Sequence, residues 1–260
     1  MRKNSKYYKQ IKPRQNYRVI IVYILIILDI CLIPAFAQQE NTISLKDLNE
    51  SFGNYYRLDQ NLINGIQFYN LHPNAPGHAY FNDNEYTIGN IMINNKIYHN
   101  VNLKYDLCKQ RVLLEYDLLN GGTNQIILHN NDVDEFILNG KLFRKLNFPE
   151  TGSQFFQIVS DENNIVCLYH WNKQIVANTG SLDSYYQYTD QKKKTYLLID
   201  NNLYEYNRNL SFVRLFPENQ QPKIKRFIRT NKIKLKEISE ETTQQLIRYC
   251  VDLAKNPNIN

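Results

Sequence analysis

Glycine and proline are scarce in this chain of 260 residues, with nine and eight copies, and tryptophan occurs once. Such low Gly and Pro content excludes a collagen-like or low-complexity polymer and leaves most turns to other residues. The glycine-dependent signatures of common enzymes are also missing. There is no G-x-x-x-x-G-K-[ST], no G-x-G-x-x-G and no G-x-S-x-G, and no H-E-x-x-H zinc helix. A Ser-His-Asp triad assembled from distant segments leaves no local trace, so these absences bear only on sequence-local motifs. No acidic cluster carries the glycine at its sixth and glutamate at its twelfth position that a calcium loop needs. A long apolar run is lacking too. The longest, Val19–Leu28, has ten residues and ends at Asp29, whereas spanning a bilayer takes about 20.

That short run sits in an informative context. Arg2, Lys3, Lys6, Lys9, Lys12, Arg14 and Arg18 precede it, and Pro34-Ala35-Phe36-Ala37 follows it. A basic start, a short apolar stretch and an A-x-A exit form the layout of a secretory signal peptide. The expected signal peptide covers residues 1–37, with cleavage after Ala37 leaving Gln38 first. Two alternatives fit less well. An uncleaved anchor would bury Asp29 near the bilayer centre, at high cost. A lipoprotein acylated at Cys31 would have Asp29 and Ile30 where small neutral residues belong.

Removing residues 1–37 changes the charge argument. The whole chain has 31 Lys and Arg against 25 Asp and Glu, but seven of the former and one of the latter lie in that segment, which leaves 24 of each. The net charge of +6 therefore belongs to the targeting segment, and a nucleic-acid partner is not expected. The mature chain is nonetheless polarised. Residues 222–260 hold nine basic and four acidic groups, and residues 38–221 hold 15 and 20.

Three cysteines remain, Cys108, Cys167 and Cys250, each in an apolar stretch. An oxidising compartment permits one disulfide with one thiol left over. The other readings are small buried hydrophobes or a catalytic thiolate.

The 223 remaining residues suffice for one sizeable domain or two small ones. Tyr, Ile and Asn are abundant, a mix of strand formers and turn formers. From Tyr86 the chain reads as strand, turn at Asn94-Asn95-Lys96, and a second strand in which Ile97, Val101, Leu103 and Tyr105 alternate with polar residues. His99 falls in the apolar register of that strand. Val112, Leu114 and Tyr116 resume the alternation, Asn120-Gly121-Gly122 turns the chain, and Gln125–His129 adds a short strand. Phe136–Leu138, Asn139-Gly140 and Lys141–Phe143 give the strongest hairpin signal, because Asn-Gly accepts the positive φ of a type I′ turn. Phe155–Val159 with Ile165–Trp171, around Asp161–Asn164, and Thr195–Ile199 with Leu203–Tyr206, around Asp200–Asn202, read as two more hairpins. The intervening 172–194 is polar and rich in Tyr.

Near the end the pattern turns helical. Ile224, Phe227 and Ile228 follow Phe216-Pro217 at helical spacing. Ser239 is placed to cap a helix opening on Glu240-Glu241, with Leu246, Tyr249, Cys250 and Leu253 on one face and Asn256-Pro257 as a stop. Ser44–Glu50 suggests another short helix. The expected fold class is mainly β (α+β): a bent antiparallel sheet, sandwich or barrel-like domain over 38–215, with two C-terminal amphipathic helices in 216–260 packed on it.

The run Gly89–Ile93, then Tyr98-His99-Asn100-Val101-Asn102-Leu103-Lys104-Tyr105-Asp106-Leu107, resembles a motif of exported proteins common in Bacteroidota. Val133-Asp134-Glu135-Phe136-Ile137-Leu138, Lys192–Leu197, Leu215-Phe216-Pro217, the 224–233 segment and Leu246–Tyr249 are similar to further parts of that family. The resemblance spans roughly Gly77 to Leu253. It implies export and a β-rich fold, and it assigns no activity and no catalytic residue.

The candidate sites have ordinary alternatives. His72 and His78 flank a Pro/Gly loop, where a metal would need a third ligand and turn residues are the simpler reading. His99 and His129 read as sheet histidines. Asp83 with Glu85, Asp132 with Asp134 and Glu135, and Asp161 with Glu162 could hold calcium or cleave glycosides, or simply occupy turns. Tyr185-Tyr186-Gln187-Tyr188 and Tyr169-His170-Trp171 could stack on sugars, or serve as strand residues. The acid-free stretch Pro222–Lys236, with Lys223, Lys225, Arg226, Arg229, Lys232, Lys234 and Lys236, could contact anionic lipid, polysaccharide, an envelope protein or the chain's own acidic strands, or be a solvated face. Tyr185, Tyr186, Lys223, Arg226 and Arg229 are the candidate binding residues. No catalytic, cofactor-binding or metal-binding role is assigned. The expected protein is exported (periplasmic, outer-membrane-associated or secreted) and non-enzymatic, working by binding or as a structural component of the envelope. A hydrolase of envelope polymers and a polysaccharide- or lipid-binding module are the alternatives.

Overall fold

Asparagine supplies the left-handed backbone that scarce glycine would otherwise provide. The computed structural model describes residues 59–118, 121–162, 164–180 and 185–255. The expected signal peptide with Ala37 and Cys31, the helix expected at Ser44–Glu50, and Asn120, Asn163 and Asn256-Pro257 lie outside them. The strands are β1 (Gly65–Gln67), β2 (Thr87–Ile93), β3 (Lys96–Asp106), β4 (Arg111–Asp117), β5 (Thr123–Leu128), β6 (Val133–Leu138), β7 (Lys141–Phe148), β8 (Gly152–Glu162), β9 (Ile165–Asn172), β10 (Ile175–Ala177), β11 (Tyr186–Tyr188), β12 (Lys192–Ile199) and β13 (Asn202–Tyr206). The helices are α1 (Asn209–Val213), α2 (Gln221–Thr230) and α3 (Glu240–Lys255). Three two-residue hairpins turn at Asn94-Asn95 (φ 49° and 64°), Asn139-Gly140 (52° and 71°) and Asp200-Asn201 (48° and 64°). Positive φ at both positions defines the type I′ turn, whose twist matches the flanking strands.

Eleven strands form one antiparallel sheet in the order β1-β5-β4-β3-β2-β6-β7-β8-β9-β12-β13, while β10 and β11 pair separately. The fold is mainly β, as expected, with three helices among the described residues, and the sheet's edge strands β1 and β13 do not pair with each other. It bends sharply. Tyr105 on β3 and Phe155 on β8 are four strands apart, about 19 Å in a flat sheet, yet their ring centres lie 6.0 Å apart. Phe136 and Phe143 fill the concavity, stacked at 4.9 Å. Gln110, in the β3–β4 turn, reaches across the open side and donates from Nε2 to the Trp171 carbonyl on β9 (2.9 Å). His170 Nε2 lies 3.2 Å from the same residue's Oε1, which also accepts from Tyr105 Oη (2.6 Å). Phe81 plugs the seam, edge-on to Phe143 and Trp171. The curl is barrel-like without closing, and side chains rather than strand pairing bridge its open side.

A bulge changes one expectation. Gly89 pairs with Val101 but Ile91 with Tyr98, so His99 and Asn100 together oppose a single residue, and Asn100 takes φ 55°. The alternation therefore inverts across the bulge. Tyr98 is buried, and Ile97 and His99, expected to face inward, are exposed. Gly89 is needed there, because a Cβ would sit 2.3 Å from the Ile137 carbonyl oxygen on β6.

The expected helices occur as α2 and α3, and α1 is an addition that begins ahead of residue 216. Ser239 Oγ accepts from the Thr242 amide (3.2 Å), the cap anticipated for α3. Leu246, Cys250 and Leu253 point inward, together with Thr243, Ile247 and Val251. Tyr249 instead stacks on Phe227 of α2, at 4.1 Å. The helices cover β8, β9, β12 and β13 through a second core containing Tyr169, Leu197, Tyr206, Phe212, Ile224 and Ile228. Trp171 packs against both cores. Tyr169 Oη and Thr243 Oγ1 (2.7 Å), and Gln244 Nε2 with the Val159 carbonyl (2.9 Å), tie α3 to the sheet.

Candidate functional site

The basic stretch acquires a shape once α1 and α2 pack. Pro222 sits in the first turn of α2, where its missing N–H costs nothing. Ile224 and Ile228 face the core, which turns Lys225 and Arg229 outward. At the C-terminus Lys232 adopts φ 52°, and the Ile233 amide donates back to the Ile228 carbonyl (2.9 Å). This is a Schellman closure with lysine at the position glycine usually takes. The Asn209 side chain then fixes the following segment at both ends. Its Nδ2 donates to the Ile233 carbonyl (2.9 Å) and its Oδ1 accepts from the Leu235 amide (3.1 Å).

The result is an open groove of about 520 Å³ between α1 and the α2 C-terminus. Leu210, with the outer edges of the nearly buried Val213, Ile228 and Ile233, forms its apolar wall, and Lys225, Arg229, Lys232 and Lys234 surround it. Leu210 is 51% exposed despite its aliphatic side chain. A second depression, of about 570 Å³, shares Asn209 and Lys234 and adds Lys193, Arg208 and Lys236. Among the described residues, no ion pair within 4.0 Å involves Arg208, Lys225, Arg229, Lys232, Lys234 or Lys236. Lys193 is held differently. Its ammonium lies 4.2 Å from the centre of the Tyr169 ring and donates to the Ile238 carbonyl (3.3 Å), and burial lowers its pKa.

Of the residues singled out from sequence, Arg229 lines the groove, while Lys223 and Arg226 line neither depression. Arg208, Lys193 and Leu210 were not anticipated. The Lys192–Lys194 run entered the sequence reading only through the family resemblance, and nothing local linked it to Lys234.

Tyr185 and Tyr186 belong to a separate, smaller cleft of about 220 Å³, shared with Leu71, His72 and Pro73. Tyr185 is 74% exposed. Its ring meets Tyr186 edge-on at 5.1 Å, and Tyr186 meets His72 at 4.7 Å. The other aromatic run does not reach solvent in the same way, since Tyr169 is fully buried and Trp171 is half-buried in the cores.

Several of the remaining candidates make structural contacts. His78 turns from His72 toward Tyr80, whose amide donates to its Nδ1 (3.2 Å), and burial lowers its pKa. Among the described residues, no cluster of three or more His, Cys, Asp or Glu could hold a metal ion. Asp134 accepts from the Asn95 amide (2.9 Å), Glu135 pairs with Arg144 (2.8 Å), Asp83 accepts from the Glu85 amide (3.0 Å) and Glu162 lies 3.8 Å from Arg248. Cys108, Cys167 and Cys250 are free thiols. Burial pushes Cys108 up to about 11 and Cys167 up to about 12, and raises Cys250 as well, which disfavours the thiolate at neutral pH.

Compared with known proteins, the chain matches no family model, no curated protein and no solved structure.

Proposed function

We propose that this is an exported cell-envelope protein that works by binding an anionic component of the envelope through the surface around α1 and α2. The observation that carries the reading is the convergence of Lys225, Arg229, Lys232 and Lys234 around one groove without ion-pair partners among the described residues. Like charges gathered at this spacing repel one another and cost stability in the free protein. An anion relieves that repulsion. The secretory layout of residues 1–37 and the resemblance to exported Bacteroidota proteins support the location. The opposite charge of the strand region supports a directed contact, with the basic face toward the partner.

Flotation of the full chain with vesicles of phosphatidylglycerol and phosphatidylcholine tests this reading. Binding is expected to weaken as salt rises, because surface charges are screened. The double variant Arg229→Glu with Lys232→Glu is expected to weaken it by about 30-fold or more, at roughly 1 kcal/mol for each cation removed. Comparison with the double variant separates this surface from the basic residues at the N-terminus. Equal binding by both proteins, to these vesicles and to an anionic polysaccharide, would sink the proposal.

A second reading rests on the exposed Tyr185–Tyr186–His72 cleft, whose ring faces suit a sugar. Salt-insensitive glycan binding lost in Tyr185→Ala would favour it.

A further inference from the structure

We infer that the groove between α1 and α2 takes one hydrocarbon chain of an anionic lipid, whose head group is held by Lys225, Arg229, Lys232 and Lys234. The inference rests on the binding reading above and names its ligand. A surface built for a purely ionic partner needs only cations at suitable spacing. Here the cations rim an open groove whose wall is aliphatic, Leu210 with the outer edges of Val213, Ile228 and Ile233, and no acidic or aromatic side chain lines it. Its volume, about 520 Å³, falls within the roughly 300–1,000 Å³ typical of small-molecule sites. Leu210 is the clearest sign. A leucine half exposed on a five-residue helix buries little within the fold, and its side chain lines the cavity beside Ile233. The bonds from both ends of the Asn209 amide hold the far wall in place, so the groove is formed before any ligand arrives. Charge complementarity then selects the head group and the apolar wall selects the tail. A nucleotide or an inorganic anion would leave that wall wet.

Calorimetric titration of the full chain with octyl, decyl and dodecyl sulfate, each below its micelle concentration, tests the inference. Affinity is expected to rise about fourfold for each added methylene, as for a chain leaving water. Dodecyl maltoside, with the same tail and a neutral head, is expected to bind at least about tenfold more weakly if the four cations contribute as surface charges do. Leu210→Asp is expected to flatten the chain-length series. Leu210→Trp, which fills the groove while remaining apolar, provides the same test should the aspartate variant fail to fold by circular dichroism. Arg229→Glu is expected to weaken all three sulfates while leaving the series steep. A flat series in the parent protein, or one that stays equally steep in both Leu210 variants, overturns the inference. If Arg229→Glu still weakens binding in that case, the anion-binding reading survives without the tail. If neither Leu210 nor Arg229 substitutions alter any titration, both fail.

Discussion

Around β2–β8 the sheet covers its own apolar face, whereas around β9, β12 and β13 it depends on three helices. In the first region the buried residues come almost entirely from strands, and the bend brings aromatic rings from β3, β6, β7 and β8 into contact. In the second the strands supply one wall and residues 212–253 supply the other. The difference has a physical consequence. A self-covered sheet opens only by losing its bend, which breaks many long-range contacts together. A helical cover can open locally while the strands beneath remain paired. The binding surface proposed above lies on the part better able to open.

The largest expected effects test this contrast directly. Phe143 is fully buried and touches Phe81, Tyr105 and Phe136. Phe143→Ala is expected to cost about 3–5 kcal/mol, and Leu246→Ala, in the helical cover, about 2–5 kcal/mol, both measured by denaturant unfolding. Hydrogen exchange separates their reach. Leu246→Ala should speed exchange in α3 while β3 and β6 amides keep their protection. Equal loss of protection in both regions would mean that the two cores unfold as one unit.

Next in size is a pH effect at the seam between the regions. Burial, with Lys194 on the neighbouring strand, lowers the His170 pKa to about 4 from an ordinary value of 6.5. The unfolded chain therefore binds this proton first as pH falls. The stability from the neutral ring is fully present above pH 6.5 and declines as pH drops toward 4. The slope from one proton is at most about 1.4 kcal/mol per pH unit. His170→Gln should flatten that part of the stability curve, and superimposable curves would refute the assignment. His78, also lowered, adds a contribution of the same sign.

The smallest effect is the most diagnostic. Lys232 holds a left-handed conformation that favours glycine. Lys232→Gly is expected to raise stability by about 1 kcal/mol while weakening binding to anionic vesicles. If melting temperature and binding fell together, the lysine would be serving the fold rather than a ligand.

Much of the strand pattern was legible because polar turns sit between alternating runs. Asn139-Gly140 declared its type I′ turn outright, while Asn94-Asn95-Lys96 and Asp200–Asn202 read only as turns, and their two-residue form emerges in the structure. What local pattern could not give was the result of one residue out of step. Asn100 inserts a bulge, and the inward side of β3 moves from Ile97 and His99 to Tyr98. Nor could it give the pairing of β2 with β6, or of β1 with β5, which depends on the bend of the whole sheet. The fate of the aromatics was equally hidden. Tyr169 and Tyr185 both sit in aromatic runs, yet one anchors α3 and the other faces water. The groove combines residues from 209 to 234, and α1 is too short to leave a periodic signature. Arg229 was recognisable as a basic helix residue, but its apolar neighbour Leu210 was not.

The single tryptophan turns this architecture into an optical instrument. Trp171 contacts both cores, donates from Nε1 to Gln157 Oε1 (2.7 Å) and has the Lys193 ammonium 5.8 Å from its ring centre. Its emission therefore registers water entering from either side. Lys193 also borders the second basic depression, so a ligand that draws this ammonium away from the indole would change the fluorescence without unfolding anything, giving binding a signal that needs no label.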